Sequence, residues 1–262
     1  MLFIFDLDGV IYRGDTLLPG VKQTLVTLEK KGGTICFLSN NSTLSRRGYV
    51  RKLGALGLNL KERQLFTSSY LLALYLTKYR NISPQEQVMV LGEQGIIQEL
   101  TRAGIQTCRD PEQAAYVAVG MDRKLTFDKL SRAYQAILNG AEFIATNADT
   151  TYPLETKTIP ASGAIVKALE VSTGQKPLVL GKPDTFGLEI LLAAMGCNPS
   201  QAVMVGDRLE TDIAVGNKVG TPTVLVLSGI SSRQQAETAA HVLRPTWIIE
   251  NLAGILSLGE WF

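Results

Sequence analysis

The sequence predicts an α/β protein built on a doubly wound parallel sheet. Short continuous apolar runs alternate with helix-period segments along almost the whole chain. Strands apolar on both faces belong to parallel sheets covered by helices on each side. Several of these runs end abruptly in polar or acidic residues: Phe5 leads into Asp6, Leu38 into Ser39, and Val205 into Gly206-Asp207. The 262 residues, 45% of them hydrophobic, are enough to bury one large core or two modest ones.

In chain order, residues 2–5 read as a strand ending in acid. Residues 21–29 carry Val21, Leu25 and Leu28 at helical spacing. Residues 34–38 are a second strand, running into Ser39-Asn40-Asn41, and residues 45–56 are a helix stopped near Gly57. A middle series follows, with strands at 88–91, 116–119 and 143–146 and helices at 94–103, 127–138 and 163–173. The last third has an apolar stretch at 178–180, a helix at 185–195, a strand at 202–205 and a helix at 210–219. Gly220 and Pro222 punctuate the turn to a strand at 223–227. A short strand at 247–249 and a terminal helix at 252–256 complete the reading.

Composition excludes several classes. Charged residues are 19% of the chain with a net charge of +2, unlike the clustered basic surface of a nucleic-acid binder. The one basic cluster, Arg46, Arg47, Arg51 and Lys52, fits a solvated helix face. Cys36, Cys108 and Cys197 are odd in number and far apart, so they make neither a disulfide framework nor a metal spacing, and a reducing cytoplasm is expected. The chain reaches an apolar strand at once without a basic leader. No apolar run approaches the roughly 20 residues that span a bilayer. A soluble cytoplasmic protein is the expectation.

Asp6 and Asp8 leave the first strand two residues apart. Such ends bind ligands in open α/β sheets, and alternation along an extended chain points the two carboxylates the same way. Like charges so close need a cation or a shared proton. A strand cap followed by an Asp-Gly turn is the alternative. Asp207 ends another strand and Asp212 follows five residues later. Helix capping would explain either alone. Taken with Asp6 and Asp8, they gather carboxylate oxygens around one hard cation, and magnesium suits so small a set. Ser39 and Asn40 offer a hydroxyl and loop N–H groups to an anion, although such loops are common. Lys182, in Gly181-Lys182-Pro183 just after an apolar stretch, is a candidate clamp for phosphate and for the Asp6 charge, or simply a solvated lysine.

Asp6-Leu7-Asp8-Gly9, Ser39, Lys182 and Gly206-Asp207 with Asp212, in that order, resemble the haloacid dehalogenase-like superfamily. The stretches at 38–43, 143–149, 160–164 and 178–183 are similar to its 4-nitrophenyl-phosphatase-like branch, which has a large α/β cap. The resemblance implies a Rossmann-like core in two segments, 1–78 and 180–262, with a cap domain at 79–179 inserted between them. It also implies a magnesium-dependent phosphatase acting on small phosphate esters. In that scheme Asp6 is the nucleophile and a metal ligand, and Asp8 is the acid and base, binding metal through its backbone carbonyl. Asp207 is a metal ligand and Asp212 acts near the metal. Ser39 and Asn40 hold the phosphoryl group, with Lys182 neutralising charge. Relatives often pair through the cap, so a homodimer is a further implication. Asn147, Asp149 and Thr150, just after a middle strand, are candidate substrate contacts or an Asx-rich turn.

Rival chemistries lack their motifs. The first turn holds no Gly-x-Gly-x-x-Gly, Gly181-Lys182 is followed by Pro183 where a P-loop needs Ser or Thr, and no cysteine has an arginine six residues on. His241 is the only histidine, which leaves little room for a Ser-His triad. A phosphate-sensing receiver module would be about half this length and would not need Asp8. A phosphotransferase or phosphomutase remains the nearer alternative, and the cap patterns favour hydrolysis. Alanine at Asp149 is expected to reorder the preference among phosphate esters while sparing magnesium affinity; an unchanged ranking in a substrate panel would count against contact.

Overall fold

The computed structural model describes residues 1–154 and 157–259. The chain opens with β1 (Leu2–Phe5), a hairpin of β2 (Tyr12–Arg13) and β3 (Thr16–Leu17), α1 (Val21–Lys30), β4 (Thr34–Ser39) and α2 (Arg46–Ala55). Next come β5 (Leu65–Thr67) and α3 (Ser68–Leu74), which continues through one wide turn at Tyr75–Tyr79. The middle series is β6 (Gln87–Leu91), α4 (Gln94–Arg102), β7 (Gln106–Cys108), β8 (Ala114–Val119), α5 (Phe127–Leu138) and β9 (Glu142–Ala145). It ends with a hairpin of β10 (Thr151–Pro153) and β11 (Thr158–Pro160), α6 (Ser162–Thr173) and β12 (Leu178–Val179). The closing series is α7 (Phe186–Met195), β13 (Ala202–Gly206), α8 (Ala214–Val219), β14 (Thr223–Val226), α9 (Arg233–Thr238) and β15 (Trp247–Ile249).

The first and closing series share one six-stranded sheet, ordered β15-β14-β13-β1-β4-β5, and the middle series forms its own five-stranded sheet, β12-β9-β8-β6-β7. Every pairing in both sheets is parallel. The first series winds outward from β1 through β4 to β5. The closing series winds the other way, from β13 through β14 to β15. Winding therefore reverses between β1 and β13. Loops diverge at such a switch point and leave a crevice at the carboxyl ends of the strands.

Strand alternation sorts the core side chains. Phe3, Phe5, Ile35, Phe37, Val203 and Val205 face Leu25 and Leu28 of α1 and Tyr49 and Leu53 of α2. Leu2, Ile4, Cys36, Leu38 and Met204 face Leu71 of α3 and Leu188 and Leu191 of α7. Both faces are covered, which is why these strands are apolar without a break. The middle sheet is likewise packed against α5 and α6 on one face. On its other face it meets α4 and the α3 residues Leu72 and Ala73, followed by Leu76 of the wide turn. Thus α3 serves both cores.

The apolar stretch at 178–180 does not begin the closing series. Its strand, β12, pairs with β9 at the edge of the middle sheet. Residues 210–219 are not one regular helix, because a wide turn at Leu209–Ile213 precedes α8. The terminal helix is a 3-10 turn, Leu252–Ser257. The basic cluster is not simply solvated. Arg46 is 18% exposed and lies 3.5 Å from Glu99, itself 2% exposed, with its guanidinium 3.5 Å above the Tyr70 ring. Glu99 belongs to α4 and also accepts the Arg46 backbone N–H at 2.7 Å, placing a carboxylate at the N-terminus of α2. At the start of α4, a Cβ on Gly95 would fall 2.4 Å from the Ser42 carbonyl oxygen. The middle lobe is therefore seated closely on the loop after β4. Ile4 is fully buried in the central strand; Ile4→Ala is expected to cost about 2–5 kcal/mol, measured by urea unfolding.

Candidate active site

β1, β4 and β13 end side by side and deliver Asp6, Ser39 and Asp207 to the switch-point crevice. Gly9 turns the chain after Asp8 with φ +85°, a conformation that favours glycine. A Cβ there would also sit 2.4 Å from Asp207 Oδ2. Gly206 and Gly229 are needed for similar reasons. Cβ atoms on them would lie 2.1 Å from the Asp212 Cβ and 1.8 Å from Asp207 Oδ2 respectively. The wide turn after β13 brings Asp212 back beneath Asp207, where the Arg208 N–H donates to Asp212 Oδ2 at 3.2 Å.

Ligand oxygens of Asp6, Asp207 and Asp212 all lie within 4.8 Å of one another. Lys182 is the ammonium in direct contact with this group. Its Nζ donates to Asp6 Oδ1 at 2.7 Å, to Asp212 Oδ1 at 2.6 Å and to the Leu38 carbonyl at 2.8 Å. All three of its donors are thereby spent. Asn40 holds the lysine backbone at both ends: its Oδ1 accepts the Lys182 N–H at 2.8 Å and its Nδ2 donates to the Lys182 carbonyl at 2.9 Å. A Cβ on Gly181 would strike the Thr146 carbonyl oxygen at 2.6 Å and Asn40 Oδ1 at 2.7 Å.

Electrostatics follow from this crowding. Burial holds the Asp6 carboxyl well above the usual carboxylate range, opposed by Lys182 and reinforced by Asp212 and Asp207. Burial, then the Asp212 charge, pushes Asp207 up to about 7. Burial works against the Lys182 charge, yet Asp212 and Asp6 together keep its ammonium above the ordinary lysine range. Three carboxylates facing one ammonium leave an excess of buried negative charge. That excess, with oxygens at this separation and only oxygen donors, fits a hard divalent cation.

Asp8 is oriented apart from the cluster. Its Oδ2 accepts from the Tyr12 hydroxyl at 3.1 Å and from Asn41 Nδ2 at 3.2 Å, and its Oδ1 accepts from the Tyr152 hydroxyl at 3.3 Å. Burial raises its carboxyl above the usual range, opposed by the Asn41 hydrogen bond.

A cavity of about 60 Å³ lies over these groups. It is lined from the six-stranded sheet by Asp6, Asp8, Ser39, Asn40 and Asp207, and from the middle lobe by Asn147, Asp149, Tyr152 and Ser162. Ser39 is 2% exposed and its Oγ accepts the Asn41 N–H at 3.2 Å. Asp149 accepts from Asn147 at 2.8 Å and from Asn40 at 3.1 Å, and burial raises its carboxyl. Thr150 is exposed and its carbonyl caps Ala161. It is not among the residues lining the cavity; its neighbours Thr151 and Tyr152 are. His241 is exposed, as a surface residue should be.

Sequence reasoning did not single out Tyr12, Tyr152, Arg208 or the loop at Gly229 and Ile230, whose N–H donates to Asp207 Oδ2 at 2.9 Å. Asn41 was in view only as part of the Ser39 loop. Arg208 lies inside the acidic stretch between Asp207 and Asp212, while Tyr12, Tyr152 and the Gly229 loop carry no local motif.

A sequence profile described as haloacid dehalogenase-like hydrolase matches residues 3–106. A second, described as HAD-hydrolase-like, matches residues 179–255. Phosphoglycolate phosphatase 1A, chloroplastic, of Arabidopsis thaliana is 38% identical over 97% of this chain and 76% of its own length. The p-nitrophenyl phosphatase of Archaeoglobus fulgidus superposes with TM-score 0.89 at 34% identity, covering 98% of both chains. A glycerol phosphate phosphatase of Mycobacterium tuberculosis, solved in complex with magnesium, superposes with TM-score 0.88 at 30% identity, covering 96% of this chain and 74% of its own.

Gly229→Ala is expected to displace Asp207 without unfolding the sheet. Divalent-cation affinity should fall about 10–100-fold, the usual range when a ligand's support is removed. Calorimetric titration with magnesium, beside far-UV circular dichroism and the same titration of Asp207→Asn, checks this; wild-type affinity in both variants would show that Asp207 takes no part in holding a cation.

Proposed function

The chain belongs to the haloacid dehalogenase-like hydrolases, and we propose that it hydrolyses small phosphate monoesters through a phosphorylated Asp6. The observation that carries this reading is the Asp6 carboxylate at the end of the central strand. One of its oxygens is pinned by Lys182 at 2.7 Å, while Oδ2 accepts no hydrogen bond among the described residues. Phosphoryl transfer asks mainly for alignment and charge stabilisation, and a carboxylate nucleophile divides one hard displacement into two easier ones.

In the first half-reaction an Asp6 oxygen attacks phosphorus and the bond to the leaving oxygen breaks. Asp8 gives its proton to that oxygen. Burial keeps the Asp8 carboxyl above its ordinary range, which favours a proton in place when the leaving group departs. In the second half-reaction Asp8 takes a proton from water, the water oxygen attacks phosphorus, and the Asp6–phosphorus bond breaks to release phosphate. The Ser39 hydroxyl and the loop at Asn40 support the phosphoryl oxygens. Lys182, with its three donors spent on the protein, contributes charge at short range and opposes the upward push of burial on the Asp6 carboxyl.

Haloacid dehalogenase-like phosphatases use a divalent cation, which when bound here would supply positive charge beside the nucleophile and the phosphate. Asp6, Asp207 and the Asp8 backbone carbonyl would hold it here, with Asp212 close by. Magnesium is the ion we assign, because it takes few carboxylates and retains water for a phosphate.

The lobe at 79–179 acts as the cap, with 1–78 and 180–262 as the core. Asn147 and Asp149, on the cavity wall, are the cap contacts we assign to substrate. Two copies would pair through the cap, whose most exposed large apolar side chains are Phe127 on α5 and Val171 on α6. Among the described residues no helix is long and apolar enough to cross a membrane; the three separated cysteines support a reducing, cytoplasmic setting.

Phosphate release from a panel of small esters, including 4-nitrophenyl phosphate, phosphoglycolate, sugar phosphates and nucleotides, tests the reaction class. Turnover should require magnesium and should fall by roughly 10³-fold or more in Asp6→Asn, which removes the nucleophile. Absence of turnover from folded, magnesium-loaded protein would overturn hydrolysis and favour phosphotransfer to an acceptor or phosphate sensing.

A further inference from the structure

Tyr152 contacts the side chain assigned as acid and base, yet it comes from the other lobe. It sits on the hairpin strand β10, within the segment between β9 and α6, whereas Asp8 follows β1. Its hydroxyl donates to Asp8 Oδ1 at 3.3 Å and accepts from Asn41 Nδ2 at 3.2 Å. Because the Tyr152 oxygen receives the Asn41 proton, its own proton is free to point at Asp8. The same Asn41 amide donates to Asp8 Oδ2 at 3.2 Å, and Asn41 Oδ1 is itself fixed by the Thr43 N–H at 3.0 Å and hydroxyl at 2.7 Å. Tyr12 adds its hydroxyl to Oδ2 at 3.1 Å.

The carboxyl of Asp8 is therefore gripped at both oxygens. Oδ2 is held by two donors from the six-stranded lobe, and Oδ1 by one donor from the inserted lobe. Arg208 ties the same hairpin strand to the loop after β13, donating to the Thr151 carbonyl at 3.3 Å and to its hydroxyl at 3.4 Å. Two hydrogen bonds to Oδ2 leave the carboxyl free to tilt about that edge; a third, to Oδ1, fixes its plane. Groups that transfer protons in a transition state must be held in orientation as well as in place.

We propose that Tyr152 is a positioning residue for Asp8: its hydroxyl, arriving only when the inserted lobe is seated, completes the orientation of the carboxyl that exchanges a proton with the leaving oxygen. This inference rests on the reading of Asp8 as the acid. It makes proton delivery depend on lobe contact, so an ester admitted without closure leaves Asp8 incompletely aligned. Tyr152 need not touch the substrate for this role.

The test uses two esters on full-length, magnesium-loaded protein: an alkyl phosphate, whose alkoxide leaves poorly without a proton, and 4-nitrophenyl phosphate, whose phenolate leaves readily. Tyr152→Phe keeps the ring and removes the hydroxyl. Its single-turnover rate of leaving-group release should fall on the alkyl ester about tenfold further than on the nitrophenyl ester, a part of the roughly 10²–10⁴-fold that a general acid supplies, with KM for both little moved. Asp8→Asn serves as the reference and should show the same bias more strongly. Because Asp8 also serves the second half-reaction, the comparison is made on leaving-group release in a single turnover; should Asp8→Asn slow that release equally for both esters, the reading of Asp8 as the acid fails. Should Asp8→Asn show the bias while Tyr152→Phe does not, the positioning role alone is overturned. A raised KM in Tyr152→Phe without the leaving-group bias would make Tyr152 a substrate contact and would likewise overturn it.

Discussion

Lys182 is the contact on which the site is built. Its ammonium joins Asp6 from β1 and Asp212 from the turn after β13, and it reaches the carbonyl of Leu38 in β4. A buried charge left unpaired costs several kcal/mol, so three carboxylates cannot gather at one sheet end without compensation. Lys182 supplies part of it, and the remaining negative charge defines a place for a cation. The lysine arrives on the segment leaving β12, at the edge of the inserted sheet. One residue thus binds both the charge balance and the geometry of the two lobes.

Several local features exist to permit that contact. Asn40 spends its amide on the Lys182 backbone, which explains a polar residue held 7% exposed beside the strand end. Glycines stand at 181, 206 and 229 because side chains there would overlap backbone or the acids themselves. The packing around the carboxylates is close enough that the site leaves little freedom to its ligands, as preorganised electrostatics require.

Two aspartates separated by one residue enter different environments. Asp6 turns to the lysine and the acid cluster. Asp8 turns to Tyr12, Asn41 and Tyr152, which are neutral donors. Placing like groups in unlike surroundings is how one chain separates a nucleophile from an acid. In the proposed reaction, the same separation divides bond formation at phosphorus from proton transfer.

The sequence by itself determined the parallel α/β class, because strands buried on both faces are apolar throughout, and it determined the strand-end positions of Asp6, Ser39 and Asp207, because each apolar run stops there. The order of Asp6, Ser39, Lys182 and Asp207 was legible through the family resemblance, because the run before Lys182 is a two-residue strand of the other sheet. Tertiary structure decided what no local pattern encodes. The three-residue strands β5, β10 and β11 are too short to show a period, and β12 could be assigned to the inserted sheet only through its partner β9. Arg46 looks like one more surface charge until α4 brings Glu99 to it. Tyr152 is 144 positions from Asp8, and nothing near it in the chain marks it. Local periodicity records which face of an element is buried; it holds no record of which distant element covers that face, because that is set by the meeting of two separately folded surfaces.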